Sequence, residues 1–492
     1  MRKILLILCC LSAGISQGFA QQFKISYPAT ALNRSFTGKV YLYLSKNNLT
    51  PKDASIGLEP LNCFAVTVKD VKPGQEIVVD DRAVSYPVAA SEMERGKYYI
   101  QAVWDLNAGG RSIAGSPGNV FSKAQQIVIT KDIKKVYTLI ADQVIPEQVF
   151  QETEFVKELK APSKLLSSFH HKEMSINAAV QLPATYYTEP NRKFPVQFIV
   201  FGYGSDYHRF SGVKQATTLL DTVACIRVFL DGNNPLGHSA YANSKNTGPW
   251  GDALTKELIP LLEQRFRCNG ARLLGGHSSG GWSALWLQTH YPDLFIACAA
   301  SSPDFVDFRS FSKVNLYQDS NLYYNSKGEA NPWGTVAGRF PFAYLKDTYQ
   351  VEHVISRGEQ QHSFDAVFGE RGADGEPESL INIETGTINK SVAEHWKQYD
   401  ISLYLRTNWD KLKKDLDGKI RISIGNDDNF SLNYSVKMLE EDLKKINAGV
   451  TVVYYPGDHF TLNTPQYGKD ITDFQVSKYA EWLKTSSAKA GK

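Results

Sequence analysis

The spacing of hydrophobic and polar positions changes near residue 150. Before that point, short stretches alternate every second residue at 39–44, 63–68, 76–79, 98–104 and 127–130, with turn-rich segments between them. This rhythm predicts strands with one face inward and, at such spacing, a small all-β sandwich over 21–150. After Pro162, apolar β-branched runs at 194–201 and 223–230 precede a helical pattern at 253–266, a strand at 271–275 and a helix at 282–290. The same exchange of periods returns at 419–424, 432–446, 450–455 and 471–483. Strands alternating with helices predict an α/β domain on a mostly parallel sheet over 151–492. The stretch 131–162 is expected to link the two parts. About a hundred residues at 304–412, rich in Tyr, Trp, Asn and Gly, read as an insertion that shapes a pocket. Within it, the run from Arg357 to Phe364 is expected to be pocket wall or scaffold.

Composition narrows the class. The 492 residues hold 54 Lys and Arg against 51 Asp and Glu, a net charge of +3. Loss of Arg2 and Lys3 with a leader would leave 52 against 51, or +1. That balance argues against nucleic acid as a partner. Met1-Arg2-Lys3, an apolar run at 4–11 and the small-x-small ending Gly18-Phe19-Ala20 predict a secretory signal peptide over 1–20 and a periplasmic or secreted product. No later apolar run reaches the roughly 18 residues needed to span a bilayer. Cys63, Cys225, Cys268 and Cys298 remain in the mature chain, with a spacing that defines no disulfide framework. No sequence feature calls for a metal or cofactor.

The chemistry concentrates at Leu273-Leu274-Gly275-Gly276-His277-Ser278-Ser279-Gly280-Gly281. A strand breaking sharply into a helix forces the residue at the break into a strained conformation, so the residues two before and two after it must be small. Gly276 and Gly280 satisfy this for Ser278. Ser279 would need a small residue at 277, which is His. Ser278 is therefore the candidate nucleophile, and a serine hydroxyl needs a base and an acid to orient that base. In α/β-hydrolases these follow in the order Ser, Asp or Glu, His. The strand at 419–424 runs into Gly425-Asn426-Asp427-Asp428, and the strand at 450–455 into Pro456-Gly457-Asp458-His459. His459 is the histidine that lies beyond the aspartate pair. Asp427 and Asp428 both remain candidates for the acid. Backbone donors for a developing oxyanion, each worth about 3 kcal/mol, are expected from the Ser279 amide and from the Tyr203 amide in Gly202-Tyr203-Gly204.

From about Ser163 onward the chain resembles esterases of the esterase D and enterochelin-esterase type, within the α/β-hydrolase superfamily. The resemblance rests on Phe201-Gly202-Tyr203-Gly204, Gly276-His277-Ser278-Ser279-Gly280-Gly281, Gly425-Asn426-Asp427-Asp428 and Gly457-Asp458-His459-Phe460. It implies the acid at Asp428, three residues after the strand-ending glycine. Many such relatives carry a histidine before the oxyanion-loop glycine, where this chain has Phe201. Asp231 to His238 looks like the substrate-facing loop after the next strand. Gly202, Asp231 and His238 are thus candidate substrate contacts, with a structural hydrogen bond the competing role for His238.

An ester as substrate is what the resemblance implies and not what the triad residues show, because the same triad also cleaves amides. Two substrates compete: a siderophore-type ester, favoured by a pocket lined with Arg or Lys, and a glycan-linked acyl or feruloyl ester, favoured by an exposed aromatic row on the sandwich. Tyr41, Tyr43, Tyr98, Tyr99 and Trp104 are the candidates for that row, against a role as core. From a different class, a non-catalytic ligand- or carbohydrate-binding protein on a hydrolase scaffold is motivated by Phe201 and the large insertion.

Overall fold

The structure, a computed structural model, describes residues 21–59, 61–107, 111–131, 135–218, 220–355 and 357–490. The predicted signal peptide lies outside them. The N-terminal part holds two sheets. In the smaller, Gln22–Ser26 pairs antiparallel with Ile77–Val79 and parallel with Val136–Ile140. In the larger, Phe36–Ser45 lies between Asn62–Val71 and Gly96–Asp105. Val40, Leu42 and Leu44 point one way, into a core with Phe23, Phe64 and Trp104. Tyr41 and Tyr43, one residue out of phase, point the other way, as the strand period requires.

That second face is not open to water. Val354 and Ile355, at the end of helix Leu345–Ile355 in the insertion, pack against Tyr41 and Tyr43, and the Tyr41 hydroxyl donates to the Ile355 carbonyl at 2.6 Å. Tyr41, Tyr43, Tyr98 and Trp104 are all buried, so these four form core rather than an exposed stacking row. The stretch 131–162, read as a linker, contributes Val136–Ile140 and Gln143–Val144 to the N-terminal sheets and Val156–Pro162 to the edge of the next.

The C-terminal part is built on eight strands in the spatial order Val156–Pro162, Ser175–Gln181, Ile226–Asp231, Phe194–Val200, Cys268–His277, Ala297–Ser301, Ile420–Gly425, Val450–Tyr455. The first two pair antiparallel and the remaining six run parallel, which is the mostly parallel sheet expected. Strands such as Phe194–Val200 are buried on both faces and therefore read as continuous apolar runs. The insertion folds into helices Leu345–Ile355, Gln360–Phe368, Lys390–Trp396 and Ile401–Leu416 and a hairpin of Pro332–Val336 with Phe340–Tyr344. Its aromatic core, including Phe308, Phe368 and Trp396, rests on Trp282 of helix Ser279–His290.

One ion pair ties the two parts together. Arg357 presents Nε and Nη2 to the two carboxylate oxygens of Asp105, each at 2.7 Å, and its Nη1 donates to the Pro235 carbonyl at 3.0 Å. Both side chains are less than a tenth exposed. Asp105 ends a strand of the N-terminal sheet, Arg357 belongs to the insertion, and Pro235 lies in the loop after Ile226–Asp231. Removing one partner leaves a buried charge without compensation. Arg357→Ala should therefore lower unfolding free energy by about 3–5 kcal/mol, and the Asp105→Ala/Arg357→Ala pair should cost less than the sum of the single changes; a double-mutant cycle in denaturant checks both.

Candidate active site

Strand Cys268–His277 ends at Ser278, and helix Ser279–His290 begins one residue later. Ser278 has φ 59° and ψ −128°, a strained conformation for a residue with a side chain. The glycines around it answer to specific crowding. A Cβ on Gly276 would lie 2.0 Å from the Gly280 carbonyl oxygen, and one on Gly280 would lie 2.1 Å from that of Val200. Only hydrogen fits at either position, so the sharp break is enforced sterically. The loop after Phe194–Val200 covers the serine: a Cβ on Gly202 would sit 3.3 Å from Ser278 Cβ. Ser279 is the first helical residue, so its amide has no intrahelical acceptor. Among the described residues, no backbone carbonyl takes up the Tyr203 or the Ser279 amide.

The acid and the imidazole come together at the ends of the last two strands. Asp428 is buried, accepts from the Phe430 and Leu432 amides at 3.0 and 3.3 Å through Oδ1, and meets His459 Nδ1 at 2.8 Å through Oδ2. The His459 amide donates to Asn429 Oδ1 at 3.1 Å, which fixes the loop. Asp427 is exposed and turned away toward Gly338 of the hairpin. With Nδ1 held by Asp428, Nε2 is the His459 nitrogen left for chemistry.

Ser278 and His459 line one cavity of about 1000 Å³. The Ser278 hydroxyl, however, donates to Asp304 Oδ1 at 3.3 Å rather than to His459. Asp304, just beyond strand Ala297–Ser301, also accepts from Ser279 Oγ at 2.6 Å and from Gln360 Nε2 at 3.3 Å. Burial pushes its carboxyl up to about 6. In the sequence Asp304 marks only the start of the insertion, and its place three residues beyond a strand end is the signal that points to it. The cavity also has a wall that the sequence did not foretell: Lys52 to Ile56, Leu58 and Arg111 to Gly115 of the N-terminal part border it.

Of the candidate substrate contacts, Gly202 lines the cavity, and Asp231 and His238 do not. Asp231 accepts from the Asn233 amide at 3.1 Å, and burial pushes its carboxyl up to about 7. His238 fills the space above Gly232, accepts from the Ala240 amide at 2.9 Å through Nδ1, and is pushed by burial down to about 4. It borders a small side cavity with Ser279 and Asp304. Phe201 stacks with Phe210 and Phe229, so this position supports the loop by packing. His277 is half-buried beside His459, contacts Ser301 Oγ at 3.0 Å and is pushed down to about 4, mainly by desolvation. Among the described residues, no group of three or more His, Cys, Asp or Glu side chains is placed to hold a metal, and no helix is long and apolar enough to cross a membrane.

Strand order, elbow and strand-end carboxylate–imidazole pair define an α/β-hydrolase of the serine type. The chain belongs to the family described as Putative esterase, which matches residues 170–448, and it is a serine carboxylic ester hydrolase. Similar solved structures include an S-formylglutathione hydrolase from Agrobacterium tumefaciens, 13% identical, with 67% of this chain and 98% of that one aligned at a TM-score of 0.41. A ferulic acid esterase is 15% identical over 67% and 98%, with a TM-score of 0.38. The fluorophosphonate-binding serine hydrolase F of Staphylococcus aureus is 17% identical over 65% and 98%, also at 0.38. No curated protein matches the chain.

The buried Asp304 makes a pH prediction. Its folded-state pKa lies above the ordinary value of about 3.9, so its contribution to stability is fully present below pH 4 and is lost as pH rises through 6. Asp304→Asn should abolish this part of the pH dependence, gaining on the parent protein between pH 4 and 6 in denaturant titrations.

Proposed function

We propose that this protein is an exported esterase working through Ser278, His459 and Asp428. The observation that carries the proposal is the Asp428–His459 hydrogen bond, which faces the elbow serine inside one cavity. A turn of the Ser278 side chain exchanges its Asp304 partner for His459 Nε2. His459 then accepts the hydroxyl proton as Oγ attacks the ester carbonyl, and Asp428 stabilises the imidazolium. The Tyr203 and Ser279 amides, which have no carbonyl partner among the described residues, receive the developing oxyanion. His459 returns the proton to the leaving alcohol, and a water activated by the same imidazole releases the acyl group.

Because His459 protonates the leaving oxygen, the alcohol part of the substrate must lie against the neighbours of His459. These are aromatic. Phe430 and Phe460 stand 4.9 and 5.1 Å from the imidazole, Trp333 lies 5.1 Å beyond Phe430, and Phe342 lies 6.4 Å from Trp333, centroid to centroid. Phe460 and Phe342 are largely exposed. Such a stripe suits a ring-bearing alcohol that keeps one side in water, which favours a glycan-linked ester. Lys52, Arg111 and Arg209 also line the cavity, Lys52 paired with Asp53, Arg111 donating to the Gly358 carbonyl and Arg209 lying over the Phe201 ring, so an anionic siderophore-type ester is the second reading and its hydrolysis belongs in the same test. Export rests on the leader-like residues 1–20; N-terminal sequencing of the exported chain should begin at Gln21.

The competing non-catalytic reading draws on the Ser278–Asp304 hydrogen bond. Both are tested with p-nitrophenyl acetate to octanoate, methyl ferulate and an acetylated xylo-oligosaccharide. Ser278→Ala and Asp428→Asn should each lower turnover by roughly 10⁴-fold, with Asp427→Asn close to the parent. Trp333→Ala should raise KM about fivefold for the oligosaccharide ester, roughly 1 kcal/mol of lost stacking, and leave p-nitrophenyl acetate unaffected. Silence across the panel, with no fluorophosphonate labelling of Ser278, would leave the binding protein.

A further inference from the structure

Arg111 lies in the N-terminal part, yet its side chain reaches the loop that covers the nucleophile. Its guanidinium sits over the Tyr203 ring, 4.6 Å from the centroid, and its Nη1 donates to the Gly358 carbonyl at 3.2 Å. The approach is close at the backbone as well. Gly358 has φ 82°, and a Cβ there would lie 1.9 Å from the Arg111 carbonyl oxygen. On its other side Tyr203 donates its hydroxyl to the buried carboxylate of Glu359. The next residue, Gln360, donates to Ser279 Oγ at 3.2 Å and to Asp304 at 3.3 Å. Three segments distant in sequence thus meet on one tyrosine ring.

The loop carrying that ring has one long backbone bond of its own, from the Ser205 amide to the Gly202 carbonyl at 3.4 Å. Gly202 and Gly204 flank Tyr203, and Gly204 is in the left-handed region with φ 84°. No backbone carbonyl among the described residues holds the Tyr203 amide. The direction of that amide therefore depends on what grips the side chain, with Arg111 on the ring face and Glu359 at the hydroxyl. A donor aimed at the developing oxyanion acts only if it is in place before the charge forms.

We infer that Arg111 is a positioning residue for ester hydrolysis, holding the Tyr203 loop in register with Ser278, so that the N-terminal β region completes the catalytic site. The inference rests on the assignment of the Tyr203 amide to the oxyanion hole. It requires the loss on substitution to fall on kcat, because the oxyanion exists in the transition state and not in the bound ester.

The test uses the full-length mature chain with p-nitrophenyl acetate. Arg111→Met, which keeps the apolar stem, should lower kcat by about 10- to 100-fold with KM nearly unchanged. Arg111→Lys should recover part of the loss, since an ammonium also binds an aromatic face. Tyr203→Phe, which keeps the ring and drops only the Glu359 bond, should fall between parent and Arg111→Met. Thermal midpoints measured alongside show that each variant is folded. A parental kcat in Arg111→Met, or a rise in KM with kcat intact, would overturn the inference. So would a lysine variant no better than the methionine one. Activity surviving in Ser278→Ala would instead defeat the esterase mechanism itself, so the two failures are distinguishable.

Discussion

The structure depends on the space around Ser278 that only hydrogen atoms can occupy. The carbonyls of Val200 and Gly280 press on the positions of Gly280 and Gly276 so closely that a methyl group at either would overlap them. This crowding lets the central strand stop and the helix start within one residue. It also pins the Phe194–Val200 strand end, and therefore the loop at Gly202 to Gly204, directly above the serine. The strained backbone at Ser278 persists because strand, helix and neighbouring strand end all hold it. Every other group of the site is placed relative to that fixed point.

The parts legible in the sequence were those whose physics is local. The elbow announces itself because its steric demand is met by residues two positions either side. His459 follows from chain order and from its place after an apolar strand. The choice between Asp427 and Asp428 was not local. Adjacent residues leave a strand end in opposite directions, and only the position of the imidazole determines which one is buried. Asp304 stood after a strand but within no motif, so nothing in its neighbourhood linked it to Ser278. Arg111 was further out of reach, because its contact with Gly358 spans 247 residues.

The N-terminal sheets show the corresponding limit for periodicity. Alternation at 39–44 separates two faces correctly but does not say which face meets solvent. Tyr41 and Tyr43 look like an outward row, and they are buried because a helix more than three hundred residues later lies over them. The strand Val136–Ile140 was hidden among charged and polar neighbours. It becomes a strand by pairing in parallel with Gln22–Ser26, a contact that local propensity does not encode.

The two long-range ties, Tyr41 to Ile355 and Asp105 to Arg357, also set the order in which the protein can mature. As the chain is made, the N-terminal sheets emerge first, with a tyrosine-lined face that lacks its covering helix and with the Asp105 carboxylate bonded, among the described residues, only to Asn107 and Asn119 until Arg357 follows. Neither the helix nor the guanidinium arrives until the insertion has emerged, and His459, in the loop after the final strand Val450–Tyr455, comes later still. The protein thus acquires one wall of its cavity and the imidazole that lines it near the end of its own synthesis, and a chain cut short before His459 leaves that cavity incomplete.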